Sequence, residues 1–362
     1  NSLIEQQMKR RYFIKSLAAL LGTLTLGTSE SRASDREYNW KMVTSWPKNF
    51  PGLGVGAENL ANLINSLSNN RLKIKVYGAN ELIPPLEVFD FVAQGGAEIG
   101  HSGAYYWKGK SPACQFFSSV PFGLTSQEMN SWLYYGGGIE LWEKLYNNFN
   151  LVPRPAGNTG VQMGGWFNKE INSMDDLKGL KMRIPGLGGE VLSKVGGVPI
   201  TLAGAEIFTA LQTGAIDATE WVGPYNDRAF GLHKVAKYYY YPGWHEPGPS
   251  IECIINKDSY LQLPDDLKKI VDTACKAVNI DMLSDYSMKN MLALKFLKDS
   301  GIEIKEFPSE VLDVLRETSS SVLKELSLHD DISLEIYNSY ISFKNKISPW
   351  TKISNLSYLK TR

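Results

Sequence analysis

Four regions of this chain combine ionisable or amide side chains with glycine, proline and aromatic residues. They are Tyr105-Tyr106-Trp107, Asn158–Phe167, Met182–Gly186, and Thr219–Pro224 taken together with Gly243–Pro247. Arg183 alternates with apolar neighbours between two Gly/Pro turns, which places its guanidinium at a strand end. Its planar fork suits a carboxylate, held through two parallel charge-assisted bonds. An internal pair with an aspartate would use the same fork, and on this residue alone both readings stand. Glu220 and Glu246 each have a tryptophan close by and a proline soon after, so both sit in stiff, partly apolar surroundings. A carboxylate in such a place needs a cation or a shifted pKa. Gln162 adds a neutral amide oxygen, and the four groups together suit a hard cation beside an organic anion. Taken singly, each glutamate reads first as a solvated or ion-paired residue.

Other chemistries find little support. His101, His233, His245 and His329 show no spacing of the HxxxH kind, so a transition-metal site is not expected. His101 follows the strand that carries Glu98 and reads as a structural histidine. Cys114, Cys253 and Cys275 are odd in number and lack metal-type spacing, which predicts buried thiols, with a Cys253–Cys275 disulfide as the alternative. No G-x-S-x-G, phosphate loop or dinucleotide fingerprint is present; Gly186-x-Gly188-Gly189 follows a strand with the wrong spacing. No nucleophile–base pair can be named, so no catalytic residue is assigned and an enzyme is not expected. With 38 Lys+Arg against 38 Asp+Glu the chain has no net field for nucleic acid or an anionic membrane surface.

The elements that must position these residues are legible in the periodicity. Tyr38–Ser45 alternates as a strand, Gly54–Ser66 has helical spacing, Leu72–Tyr77 alternates again, Pro85–Gln94 reads as a helix capped by Gly95-Gly96, and Glu98-Ile99-Gly100 leads into a short strand. That order predicts a mostly parallel sheet covered by helices. The grammar returns after residue 160. Val161–Asn168 is strand-like, Ser173 and Asp176 make a capping box, Lys181–Ile184 is a strand, Glu206–Gln212 is a helix capped by Gly214, and Ala215–Trp221 is a strand. The chain of 362 residues therefore reads as two α/β lobes, residues 34–157 and 158–255 in the main. In open α/β sheets ligands bind outside the carboxyl ends of strands, where the four regions converge.

Residues 256–362 read as helices that brace the lobes. Leu267–Lys298 keeps its apolar spacing and stops at Gly301, Ser309 is placed as the N-cap of a helix to about Leu326, and Leu334–Ile347 continues the pattern. This surplus of helix makes a homodimer a reasonable expectation. At the other end, Lys9, Arg10 and Arg11 precede the apolar run Leu17–Leu26, too short to span a bilayer, and Ser31-Arg32-Ala33 fits a cleavage site. Residues 1–33 are thus expected to be an export signal with its upstream residues, the mature chain beginning near Ser34. Arg10-Arg11-Tyr12-Phe13-Ile14-Lys15 resembles the twin-arginine address, and an ordinary secretory signal with two arginines is the alternative.

The stretches Gly157–Phe167, Lys178–Gly186, Ala215–Pro224 and Gly243–Pro249 resemble, as a set, the substrate-binding subunits of tripartite ATP-independent periplasmic (TRAP) transporters, over roughly Tyr38 to Phe343. The likeness is to the branch that binds 2-oxo acids or lactate with a metal ion. It implies a two-lobed periplasmic binding protein fold of type II kind, with a hinge and long C-terminal helices through which relatives can dimerise. It also implies that Arg183, in L-K-G-L-K-M-R-I-P-G, clamps the substrate carboxylate. Gln162, in Q-M-G-G-W-F, would then be a substrate and cation ligand. Glu220, the main-chain carbonyl of Trp221 and Glu246 would complete the cation site, while Tyr106, Tyr105 and Asn158 would lie against the substrate. A small monocarboxylate and calcium or sodium are the ligands so implied, the periplasm is the compartment, and the membrane permease subunits are the partners. With Glu220, Glu246 and the acid at −3 and Arg183 at +1, calcium neutralises the group and sodium leaves it at −1, which leans to calcium. A ligand-sensing subunit for a membrane receptor and an extracytoplasmic enzyme are the alternative readings.

Overall fold

The computed structural model describes residues 36–362, so the export signal read in residues 1–33 lies outside the described residues. Eleven strands follow in chain order: β1 (Tyr38–Thr44), β2 (Leu72–Tyr77), β3 (Ile99–Ser102), β4 (Leu151–Asn158), β5 (Gly165–Phe167), β6 (Lys181–Arg183), β7 (Val198–Ile200), β8 (Ala218–Thr219), β9 (Tyr238–Tyr241), β10 (Ser250–Asn256) and β11 (Glu303–Glu306). They form two sheets, β2-β1-β3-β10-β4 and β11-β9-β5-β8-β6-β7. Each is mixed but mostly parallel, as expected, with a single strand reversed: β10 in the first and β5 in the second. β1 is parallel to β2 and β3, but β10 enters antiparallel between β3 and β4. In the second sheet β6 is parallel to β7 and β8, while β5 runs against β8 and β9. Two strands lie across the expected division of the chain: β10 returns to the first sheet, and β11 joins the second from beyond residue 256.

Burial follows the alternation. On β1, Trp40 and Met42 point into a core with Leu60, Ile64, Leu72 and Ile74. A second cluster of Trp46, Phe50, Trp166, Trp221, Tyr239 and Tyr286 draws on both sheets. Phe50, after β1, stacks on Phe230 at 4.3 Å and meets Trp221 edge-on at 6.3 Å, so aromatic packing holds the two halves together. All three cysteines are buried free thiols.

The helix Asp265–Asp299 has two aspartates in its first turn and Lys298 in its last, the charge order that suits its dipole, and Gly301 follows at φ 78°. Its 35 residues span about 52 Å at 1.5 Å each. Val271, Ala274, Cys275 and Val278 pack on the first core, and Met282, Tyr286 and Leu297 on the second. Gly56 and Gly157 leave room for the thioether end of Met282 at the changeover, which a Cβ on either would push aside. Tyr286 donates to Asn226 Oδ1 at 2.6 Å, and Asn226 Nδ2 donates to the Pro51 carbonyl at 2.8 Å. Helices Ser309–Ser327 and Asp331–Thr351 complete the fold. Ser309 is the first helical residue and Pro308 holds the cap position, one residue from the expected start. Among the described residues no helix is long and apolar enough to cross a membrane.

Candidate functional site

The second sheet sets the centre of the site by register. β6 and β8 run parallel with Arg183 opposite Thr219, so Arg183 and Glu220 leave the sheet side by side. The ladder carries on past the regular strand through Glu220 N to Arg183 O at 3.1 Å. The strand expected over Ala215–Trp221 is thus regular only at Ala218–Thr219, because its end turns into the site.

Arg183 is wholly buried, and each of its three nitrogens has a partner, with one N–H of Nη2 left over. Nε donates to the Leu202 carbonyl at 3.1 Å, Nη2 to the Tyr106 hydroxyl at 3.2 Å, and Nη1 to Glu220 Oε1 in a buried ion pair. The guanidinium also lies 5.0 Å from the Trp221 ring centroid. The internal pair open in the sequence therefore exists, with Glu220 as the acid. Burial works against the Arg183 charge, yet Glu220, the two tyrosines and Glu246 hold its pKa above the ordinary value.

Glu246 is the unbalanced charge. Burial pushes its carboxyl well above the usual carboxylate range, Glu220 pushes the same way, and Arg183 opposes both. One donor atom from each of Glu220, His245 and Glu246 falls within a 4.8 Å cluster, all three residues being buried. Glu246 Oε2 and Gln162 Oε1 are buried oxygens without a hydrogen-bond partner among the described residues. Buried acceptors left so are costly, and an oxygen-coordinated cation satisfies them. The residues present fit a hard cation.

Backbone hydrogen bonds tie the segments that carry these groups. Gln162 N donates to Glu246 O at 3.1 Å, and Met163 N to Val222 O at 3.0 Å. These bonds explain why Val161–Asn168 is a strand only at Gly165–Phe167: its first donors serve other segments instead of one ladder. Gly165, at φ 122°, approaches so closely that a Cβ would lie 2.7 Å from Thr219 O.

Tyr105 and Tyr106 come from the helical turn Ala104–Trp107, their rings 4.6 Å apart. Burial raises the pKa of both, so both phenols stay protonated. The turn is anchored from below by Glu252 on β10, whose carboxylate accepts from Trp107 Nε1 and from the Tyr146 hydroxyl at 2.8 Å. Trp221 meets Trp46 edge-on at 6.2 Å. Asn158 lies at the end of β4 with its side chain tied to the backbone, Nδ2 to Gly248 O at 3.3 Å and Oδ1 from Gly160 N at 2.9 Å.

Arg183, Glu220, Glu246, Trp221, Tyr105 and Tyr106 are thus brought together, and Gln162 is joined to Glu246 through its backbone. His245 is the residue sequence reasoning passed over. Its Nε2 lies 3.4 Å from Glu220 Oε2. A search for histidine–histidine spacing cannot find it; its place beside Glu246 in Trp244-His245-Glu246 was the usable signal. His101 is structural by geometry: Nδ1 accepts from Trp46 Nε1 at 2.9 Å, Nε2 faces Ala156 O at 3.2 Å, and burial lowers its pKa to about 4.

Two mixed sheets bridged by a long helix enclose a buried cluster of one guanidinium, two carboxylates and a histidine, and the class of protein with this frame is that of the solute-binding proteins. The family described as bacterial extracellular solute-binding protein, family 7, matches residues 42–329, and the chain belongs to it. A monocarboxylate 2-oxoacid-binding periplasmic protein of a Nostoc strain is 43% identical over 357 residues, 97% of this chain and 98% of that protein. A TRAP periplasmic solute-binding protein of Colwellia psychrerythraea, solved with calcium and pyruvate, superposes with a TM-score of 0.88 at 43% identity, covering 90% of this chain and all of that one. Its counterpart from Pseudoalteromonas atlantica, solved with sodium and pyruvate, has the same TM-score at 42% identity and the same coverage.

Proposed function

We propose that this chain is the periplasmic binding subunit of a TRAP transporter, and that it captures a 2-oxo monocarboxylate such as pyruvate, or lactate, with calcium or sodium. The observation that carries this reading is the charge imbalance at one buried cluster, two carboxylates against one guanidinium, together with unpartnered oxygens on Glu246 and on Gln162, whose backbone is bonded to Glu246. A cation answers the carboxylates, and a 2-oxo acid offers it a carboxylate oxygen with the adjacent oxygen while the other carboxylate oxygen faces Arg183. In this reading Gln162, Glu220, the carbonyl of Trp221 and Glu246 hold the cation. Arg183 and Gln162 hold the acid, and Tyr105, Tyr106, Asn158 and Trp221 wall it in.

Release to the membrane permease requires the halves to part. The contacts that must break include Arg183–Tyr106 and Phe50–Phe230, with the helix Asp265–Asp299 common to both halves. Trp350, Ile353, Leu356 and Leu359 are exposed near the C-terminus, which supports a homodimer through the last helices. The assignment is tested by thermal denaturation against pyruvate, longer 2-oxo acids and lactate, with and without calcium or sodium. A true ligand at 100 times its Kd stabilises by about 2.7 kcal/mol.

A further inference from the structure

The short helix Pro224–Ala229, just after Trp221, buries a carboxylate with no obvious counter-charge. Asp227 is 1% exposed. Its Oδ2 accepts from Trp166 Nε1 at 3.0 Å and from the Tyr239 hydroxyl at 2.7 Å, and its Oδ1 accepts from Val222 N at 3.1 Å. These partners are neutral, and among the described residues no cationic side chain pairs with it. Trp166 stacks on Tyr239 at 4.0 Å, so the two donors to Oδ2 hold each other in place. Burial raises the pKa of Asp227 to about 6 against the pull of those three donors, and the nearby Glu220 adds to the rise.

The bond to Val222 leads to the site. Val222 follows Trp221, and its own carbonyl accepts from Met163 N at 3.0 Å. The next amide, Gln162 N, donates to Glu246 O at 3.1 Å. One backbone relay therefore runs from Asp227 through Val222 to all three segments that carry Glu220 and Trp221, Gln162, and Glu246.

We propose that Asp227 is a positioning residue for the cation site, orienting the Trp221–Val222 peptide through the Val222 amide and adding a buried negative charge that favours a divalent over a monovalent cation. This rests on the cation-binding reading above. Asp227 touches neither cation nor acid in this assignment. Asn at 227 keeps the shape and one acceptor but turns an amide donor toward either Val222 N or the Trp166–Tyr239 pair, and it removes the charge.

The test is calorimetric titration of calcium and of sodium, with and without pyruvate, into wild type, Asp227→Asn and Tyr239→Phe at pH 7.5. Asp227→Asn is expected to lower calcium affinity at least tenfold and sodium affinity by a smaller factor. Tyr239→Phe, which spares the Val222 bond and the charge, is expected to lower the melting temperature while calcium affinity stays within about twofold. In wild-type protein labelled with 15N-valine, the Val222 amide resonance should move on calcium addition, a reading that needs no variant to fold. Folded Asp227→Asn with unchanged calcium affinity, equal losses in the two variants, or a Val222 resonance that ignores calcium overturns the assignment. Wild type that takes up neither ion removes the cation site itself, a different result from wild type that binds while Asp227→Asn binds equally well.

Discussion

Arg183 and Tyr106 meet between the two sheets, Nη2 of the guanidinium donating to the phenol oxygen at 3.2 Å, while the same guanidinium pairs with Glu220 behind it. The fork thus already joins one half of the molecule to the other and still faces the wall where Tyr105 and Tyr106 stand. In the proposed reading, an acid carboxylate arriving there meets the desolvated guanidinium, which keeps Glu220 as its internal partner.

Replacing Arg183 by Ala is expected to weaken pyruvate binding by about 2–5 kcal/mol, roughly 30-fold to several-thousand-fold, because a buried carboxylate is left without its charge partner. Arg183→Lys should fail too, since a point charge cannot serve Leu202 O, Glu220, Tyr106 and a ligand from one plane. Calcium binding, measured in the same calorimeter, should persist in both, because Arg183→Ala only removes a positive charge from beside the cation and Arg183→Lys keeps the charge as it was. Near-normal pyruvate affinity in either variant would remove Arg183 from the acid site.

Gly186 stands at φ 64°, and a Cβ there would lie 3.0 Å from the Cβ of Tyr105. Left-handed backbone costs an ordinary residue about 1–2 kcal/mol, and the contact would displace Tyr105 as well. Gly186→Ala is therefore expected to lower stability by about that amount and pyruvate affinity by about fivefold or more. If thermal denaturation shifts while calorimetry shows unchanged affinity, Tyr105 does not wall the ligand.

Glu252 gives a stability prediction with a definite sign. Its pKa is raised to about 7 by burial, although Trp107 and Tyr146 donate to it, against 4.5 ordinarily. The folded protein thus holds this proton where the unfolded chain has lost it. Its favourable contribution is complete below pH 4.5 and is lost as pH rises through about 7. The shift corresponds to about 3 kcal/mol. Glu252→Gln cannot titrate, so wild type should lose stability relative to the variant between pH 4.5 and 7 in urea denaturation. A pH-independent difference would mean that Glu252 is ionised at the same pH in both states. Taking the difference cancels His101, whose lowered pKa acts in the opposite direction.

Much of this arrangement was legible in the residues because it follows from short-range rules. Strand alternation at Tyr38–Ser45, the glycine cap at Gly214 and the long apolar period from Leu267 depend on local geometry, and they fold as the pattern says. Arg183 and Glu220 were readable because each ends a short strand beside Gly/Pro turns. What periodicity could not supply was pairing. The antiparallel entry of β10 into the first sheet is a long-range choice, and Leu202 joins the site through a carbonyl that no side-chain pattern marks. The irregular run at Val161–Gly164 reads as strand because its side chains alternate, while its amides answer to Glu246, Val222 and Tyr240. His245 was hidden by a search for paired histidines, in a site whose other members are oxygens.

The central claim is that acid and cation share one site, so each must raise the affinity of the other by the same factor, with coupling of about 1–3 kcal/mol. Without the cation, only Arg183 draws the arriving carboxylate, and it is already paired with Glu220, while burial and Glu220 push the Glu246 carboxyl toward its neutral form. The direct measurement is calorimetric titration of pyruvate into protein stripped by chelation in potassium buffer, and again with calcium or with sodium present. The account predicts that stripping weakens pyruvate binding about fivefold to 150-fold and that pyruvate tightens calcium binding by the matching factor. Equal pyruvate affinity in chelator, calcium and sodium would contradict it, and Glu220 and Glu246 would then belong to the scaffold around an arginine clamp.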